Sequence, residues 1–222
     1  SKGKLRGVGF IFVLCFLISS VLFLPIDVEY VIYAILLFAM MISGYLDDAS
    51  KTPWNEYKKG LIDLVISVVA VLTYMNFNST TICFGADEIV IPKALFLILG
   101  VILIWVSVNV TNCTDGVDGL CASLCSVTLL AFGVLFAPIL QKYAMANFLF
   151  LSVLFAYLYF NSSPSSMLMG DAGSRALGFY IAVIALKSTH PFIYILLAAV
   201  MIVDGGIGLV KIALKRFLKI SI

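Results

Sequence analysis

Residues 93–120 read KALFLILGVILIWVSVNVTNCTDGVDGL. From Ala94 to Val110 the stretch is apolar over nearly the roughly 20 residues that a helix needs to cross hydrocarbon. It does not alternate apolar with polar, so it is not a strand of a transmembrane barrel. The chain then turns abruptly polar, with Asn109, Asn112, Asp115 and Asp118, and each of these aspartates precedes a glycine. A long apolar helix ending in a compact acidic loop is the pattern that organises the whole chain.

Working outward, seven more apolar runs follow the same reading: Val8–Leu24, Tyr30–Leu46, Leu61–Phe77, Gly119–Ile139, Ala144–Phe160, Ala176–Leu186 and Phe192–Ile212. The composition agrees. Hydrophobic residues make up 63% of the 222, charged residues 12%, and mean hydropathy is +1.14. A soluble domain is about 45–50% apolar and about 25% charged, so a water-soluble enzyme, a disordered tail and a disulfide-stapled scaffold are excluded. The expected fold is an all-α, multi-pass transmembrane helix bundle of about eight spans, forming one integral-membrane domain over residues 1–222. A short hairpin is expected within Thr80–Pro92, where apolar residues alternate around Gly85.

Eight spans put both termini on one side, together with 11 of the 14 lysines and arginines. The positive-inside rule makes that side cytoplasmic. Lys58, Lys59 and the Lys211–Lys219 group fit this bias, and contact with anionic lipid head groups or a phosphorylated substrate is the other reading. A net charge of +2 gives no nucleic-acid footprint. The five cysteines form no CxxC pair and read as small buried apolar residues. Eight of the 12 acidic residues fall on the cytoplasmic side. Asp204, inside the last span, is expected to be buried against a partner.

Ionisable groups near membrane spans are costly and default to a functional reading. Three loops concentrate them. In SGYLDDASK, residues 43–51, Asp47 and Asp48 are adjacent, and neighbouring carboxylates need a cation. Lys51 or a divalent metal supplies one; a solvated helix end is the plain alternative. In NVTNCTDGVDGL, residues 109–120, Asn109 and Asn112 share a helix face, and Gly116 and Gly119 permit close approach of a ligand to the backbone. In NSSPSSMLMGDAGSRALG, residues 161–178, Gly170, Asp171, Gly173 and Ser174 precede a helix, and such a helix start favours a phosphate. Hard Mg²⁺ takes carboxylates together with waters and substrate phosphates. The chemistry that fits is Mg²⁺-assisted phosphoryl transfer at the membrane surface.

YLDDASK, NxxNxTDGxDGL and NxxP…MGDxGSxALG resemble the polyprenyl-phosphate N-acetylhexosamine-1-phosphate transferases. The resemblance covers about residues 40–212, with three motifs in the family's order. The Thr-Asp of NCTDGVDGL and the Ala-Leu-Gly after the glycine loop favour the branch that handles phospho-MurNAc-pentapeptide. That branch moves this group from UDP-MurNAc-pentapeptide to undecaprenyl phosphate, giving lipid I and UMP for peptidoglycan synthesis in the bacterial plasma membrane.

The family fold has about ten spans and is commonly dimeric. Carried over by position, the resemblance implies that Asp171 would ligate Mg²⁺ and that Asp47 would orient or deprotonate the lipid phosphate beside Asp48. It implies that Asn112 and Asp115 would belong to the polar active site and that Lys51 would face phosphate. Asn109, Gly116, Val117, Asp118, Asn161, Leu168, Gly170 and Ser174 are the candidates to line the substrate pocket. The chain departs from the family in places. Lys4–Gly9 stands where a Pro-Thr-Met-Gly-Gly-type loop is expected, Leu168 where an aromatic is frequent, and Lys211 near a family glutamine. The family's first span and its His-rich inner loop are expected to lie outside residues 1–222.

The sibling reading is transfer of GlcNAc-1-phosphate from UDP-GlcNAc. An intramembrane aspartyl protease needs two aspartates facing each other within spans, and an ion-coupled transporter needs charges at the midplane, where Asp204 alone qualifies.

Overall fold

A computed structural model of the chain describes residues 4–50, 52, 54–85 and 87–214. They form helices α1 (Gly9–Phe23), α2 (Val28–Ala49), α3 (Glu56–Phe77), α4 (Lys93–Thr114), α5 (Leu120–Leu135), α6 (Ala137–Leu140), α7 (Lys142–Asn161), α8 (Gly170–Lys187), α9 (Ile193–Leu197) and α10 (Ala199–Ala213). Strands β1 (Thr81–Phe84) and β2 (Asp87–Val90) form an antiparallel hairpin, with Thr81 opposite Val90. It lies within the stretch where alternation predicts one, and Cys83 N–H ties it to Thr189 O at 2.8 Å.

The opening stretch folds as α4 and shows how the bundle treats its solvent. Leu95, Ile98, Ile102 and Trp105 are exposed along one side. Ser107, Thr111 and Thr114 are buried on the other. Spacings of three and four residues put each set on one face. Large exposed apolar faces of this kind suit lipid rather than water. Helices α2, α4 and α7, and Tyr57–Phe77 of α3, are long and apolar enough to cross a membrane, while α1 and α5 are apolar but shorter.

Helix α8 runs through the middle, with every residue from Ala172 to Leu186 buried. Small residues let its neighbours approach. A Cβ on Gly178 would meet Ser107 O of α4 at 2.6 Å, and one on Gly173 would meet Phe12 Cζ of α1 at 2.7 Å. Local caps set other helix starts: Asp27 accepts from Tyr30 N–H at 2.8 Å, and Asn55 accepts from Tyr57 N–H at 3.2 Å, satisfying donors that a helix N-terminus leaves free.

Several span boundaries differ from expectation: the third span begins at Glu56 rather than Leu61 and the fourth runs to Thr114 rather than Val110. The seventh begins at Gly170 rather than Ala176, because Asp171, Ser174 and Arg175 interrupt the apolar run yet find partners inside the bundle. The fifth ends at Leu135, and Pro138 lies at the start of α6; proline cannot donate the next helical hydrogen bond. The eighth breaks at Ala198. There Thr128 of α5 donates to Leu197 O at 3.3 Å and Thr114 of α4 to Met201 O at 3.4 Å, so neighbouring hydroxyls serve carbonyls around the break. Asp204, expected to be buried, is exposed, because Gly205 is the residue that faces Val110 of α4. Cys121 and Cys125 are buried as expected, whereas Cys15 is exposed.

Candidate active site

Five separate segments meet at one end of the bundle: residues 4–9, the end of α2, the start of α3, the α4–α5 loop and the start of α8. Residues 4–9 lie beside residues 165–169. Leu168 N–H donates to Leu5 O at 2.8 Å, and Gly9 N–H to Met169 O at 3.0 Å. Lys4 Nζ extends this tie to Asp118 Oδ2 at 2.8 Å and Ser165 Oγ at 2.7 Å. The Lys4 ammonium, with Ser165, holds the Asp118 carboxyl down at about 2.

The start of α8 is the centre. Gly170 has φ +67, in the left-handed region where a side chain is strained. A Cβ there would also run into the Asp48 carboxylate. With no Cβ in the way, Asp48 Oδ2 accepts from Asp171 N–H at 2.8 Å. Burial, reinforced by the nearby Asp171 charge, pushes the Asp115 carboxyl up to about 7, against the lowering effect of the neighbouring Gly170 N–H. Ser174 Oγ donates to Asn112 Oδ1 at 2.8 Å, fastening α8 to the end of α4.

Lys59, in the first turn of α3, reaches across the cluster. Its ammonium lies 3.2 Å from Asp171 Oδ2 and pairs closely with Asp47 Oδ2. Trp54 N–H donates to the other Asp47 oxygen at 2.7 Å. Sequence reading places Lys59 first with the cytoplasmic positive charges, with lipid head groups or a phosphorylated substrate as its other contacts, and does not single it out as a site residue. A signal is present, however: a lysine in a helix's first turn opposes the macrodipole, so it needs an acidic partner elsewhere.

The structure therefore brings together Asp47, Asp48, Asn112, Asp115, Asp171, Gly170 and Ser174. Other candidate residues surround them. Asn161 is buried; its Oδ1 accepts from Gly119 N–H at 3.0 Å and its Nδ2 donates to Met167 O at 2.8 Å, joining two of the polar loops. Leu168 is half-buried next to Leu5. Gly116 and Val117 form the exposed loop tip. Asn109 turns back to Trp105 O at 2.8 Å within its own helix. Lys51 lies outside the described residues.

Among the described residues, no three carboxylate, histidine or cysteine side chains already converge as a metal cage. The donor set nonetheless fits Mg²⁺, which binds through one or two carboxylates and keeps waters and substrate phosphates as its other ligands. Asp171 directly follows Gly170 and Asp115 lies close to both; these are the carboxylates that would hold it.

Gly170→Ala tests this packing. The left-handed conformation costs a non-glycine residue about 1–2 kcal/mol, and the new methyl displaces Asp48. A lower unfolding midpoint together with reduced turnover is expected; a variant as stable and active as the parent would contradict the close approach.

The chain matches Glycosyl transferase family 4 over residues 30–189. It is 36% identical over 244 aligned positions to the phospho-N-acetylmuramoyl-pentapeptide-transferase of Treponema pallidum, covering 100% of this chain and 67% of that protein. Proteins of the same name from Microcystis aeruginosa and Dictyoglomus thermophilum are 31% and 28% identical, over 82% and 73% of this chain and 53% and 54% of their own lengths. A polar cluster at one end of an apolar bundle and these similarities agree: the chain belongs to glycosyl transferase family 4, as a phosphoglycosyl transferase of the bacterial membrane.

Proposed function

We propose that the chain transfers phospho-MurNAc-pentapeptide from UDP-MurNAc-pentapeptide to undecaprenyl phosphate, with Mg²⁺, at the cytoplasmic face. The products are UMP and lipid I. The observation that carries this reading is Lys59 lying between Asp47 and Asp171 at the start of α8, with Asp48 and Asp115 alongside. Among the described residues most lysines and arginines lie toward this end, which supports the cytoplasmic assignment.

An oxygen of the lipid phosphate attacks the sugar-bearing phosphorus of the UDP carrier. A new P–O bond forms, the bridging P–O bond breaks, and UMP leaves. Bound Mg²⁺ supplies neutralisation of the diphosphate charge. Asp171 and Asp115 hold it. Asp47, fixed by Trp54 N–H and Lys59, orients the incoming phosphate through that lysine. Lys59 offers its ammonium to phosphate oxygens, and the Gly170 turn sets the distances between these groups. Positioning and charge neutralisation make up most of the work in such transfers.

Turnover with undecaprenyl phosphate, Mg²⁺ and either UDP-MurNAc-pentapeptide or UDP-GlcNAc tests the reading. UMP release with the first sugar nucleotide alone is expected. Release with UDP-GlcNAc alone would assign the sibling reaction.

A further inference from the structure

One helical turn further into the bundle from Lys59 and Asp171 stands a second ion pair of opposite polarity. On α3, Asp63 follows Lys59 by four residues; on α8, Arg175 follows Asp171 by four. Residues four apart share a helix face, so the two helices face each other across two rungs. In the outer rung α3 gives the cation, Lys59, and α8 the anion, Asp171. In the inner rung α3 gives the anion, Asp63, and α8 the cation, Arg175. The inner pair is sealed from solvent, with Arg175 1% and Asp63 2% exposed.

The inner pair is poorly explained as a stabilising device. Arg175 Nη1 is buried with no hydrogen-bond partner, although buried polar groups are nearly always satisfied. Desolvating two charges is expensive, and apolar replacements of buried ion pairs are frequently neutral or stabilising. Something other than stability accounts for its place. On its α1 side α8 is held by direct contact of Gly173 with Gly9, and on its α2 side by contact of Asp171 with Gly44. Toward α3 the two rungs are the polar connections at the site end among the described residues; at the far end Lys187 of α8 donates to Asn78, the cap of α3, at 2.7 Å. The height of Lys59 relative to Asp171 therefore depends on the rung beneath it.

We propose that Asp63 and Arg175 are positioning residues that fix α3 against α8, so that Lys59 lies over both Asp47 and Asp171. This rests on the phosphoryl-transfer reading for its effect on rate, but not for its effect on Lys59. Neither residue touches substrate. The inverted polarity also sets register: a slide of one turn would place Lys59 opposite Arg175, or Asp63 opposite Asp171, like charges in each case.

The test is the double variant Asp63→Leu/Arg175→Leu of the full chain in detergent, read in two ways. First, labelling of Lys59 by an amine-reactive ester is followed by mass spectrometry, with exposed Lys93 at the far end of α4 as the internal standard. Labelling of Lys59 is expected to rise several-fold while Lys93 stays constant. Second, UMP release is expected to fall roughly 10- to 100-fold, the scale of a small misplacement in a reacting site, and adding Lys59→Ala is expected to bring the total loss only to that of Lys59→Ala alone. Unchanged Lys59 labelling overturns the proposal, as do losses that simply multiply, since independent sites are additive. If the parent chain releases no UMP, the functional reading fails and the labelling still decides the positioning. Should the leucine pair not fold, Asp63→Asn/Arg175→Gln, neutral and hydrogen-bonding, gives the same two readings.

Discussion

Asp171→Asn is expected to remove Mg²⁺-dependent UMP release while leaving a folded protein. The substitution keeps shape and volume, and the contact that organises the α8 start uses the Asp171 backbone N–H, which donates to Asp48 at 2.8 Å in either case. Helix α8 stays buried from Ala172 onward. What is lost is the negative charge between Lys59 and the Gly170 turn. Electrostatic support of a transferring phosphoryl group supplies several kcal/mol, and about 1.4 kcal/mol is a factor of ten in rate. A loss of at least about 10³-fold follows on that scale. The measurement is UMP release across a Mg²⁺ titration, with the unfolding midpoint as the control for folding. Turnover within about tenfold of the parent would reassign the metal, with Asp47, Asp48 and Asp115 as the remaining carboxylates. A folded variant that recovers at high Mg²⁺ would show that Asp171 tunes affinity and leaves the transition state untouched.

Much of this site can be seen in the sequence because membrane spans make polar residues conspicuous. Against an apolar background, the Asp-Gly repeats at 115–119 and the glycine loop at 170–174 are visible as local departures; α4 follows from its long apolar run and the β-hairpin from alternation around Gly85. What is not legible depends on pairing between distant residues. Nothing near Lys4 announces Asp118, 114 positions on, and the parallel run of residues 4–9 beside 165–169 has no local signature. The same holds for the start of α8. Asp171 and Arg175 look too polar for a span until Lys59 and Asp63 are placed beside them. The break at Ala198 is likewise accompanied by long contacts from hydroxyls on other helices, which no reading of residues 192–212 alone could supply.

Lys59→Ala is expected to move two measurements in opposite directions. In the protein the Lys59 ammonium lies 3.2 Å from Asp171 Oδ2 and against Asp47, so it competes with any divalent cation that approaches Asp171. Removing it relieves that competition, and the Mg²⁺ concentration giving half-maximal rate is expected to fall. The maximal rate is expected to fall as well, by about 10²-fold, the usual cost of deleting one preorganised charge donor to a transition state. The pairing of these effects separates two roles for the lysine. If Lys59 served only to balance the charge of Asp47 and Asp171, saturating Mg²⁺ would replace it and restore the parental rate. If it contacts the diphosphate during transfer, no concentration of Mg²⁺ restores the rate, and kcat and kcat/KM drop together. Lys59→Arg keeps the charge but changes its shape and donor geometry, so partial activity is expected from it and little from the alanine. A Lys59→Ala variant with parental maximal rate would exclude the lysine from the reaction and leave Asp171 with its neighbouring carboxylates to hold the phosphates through the metal.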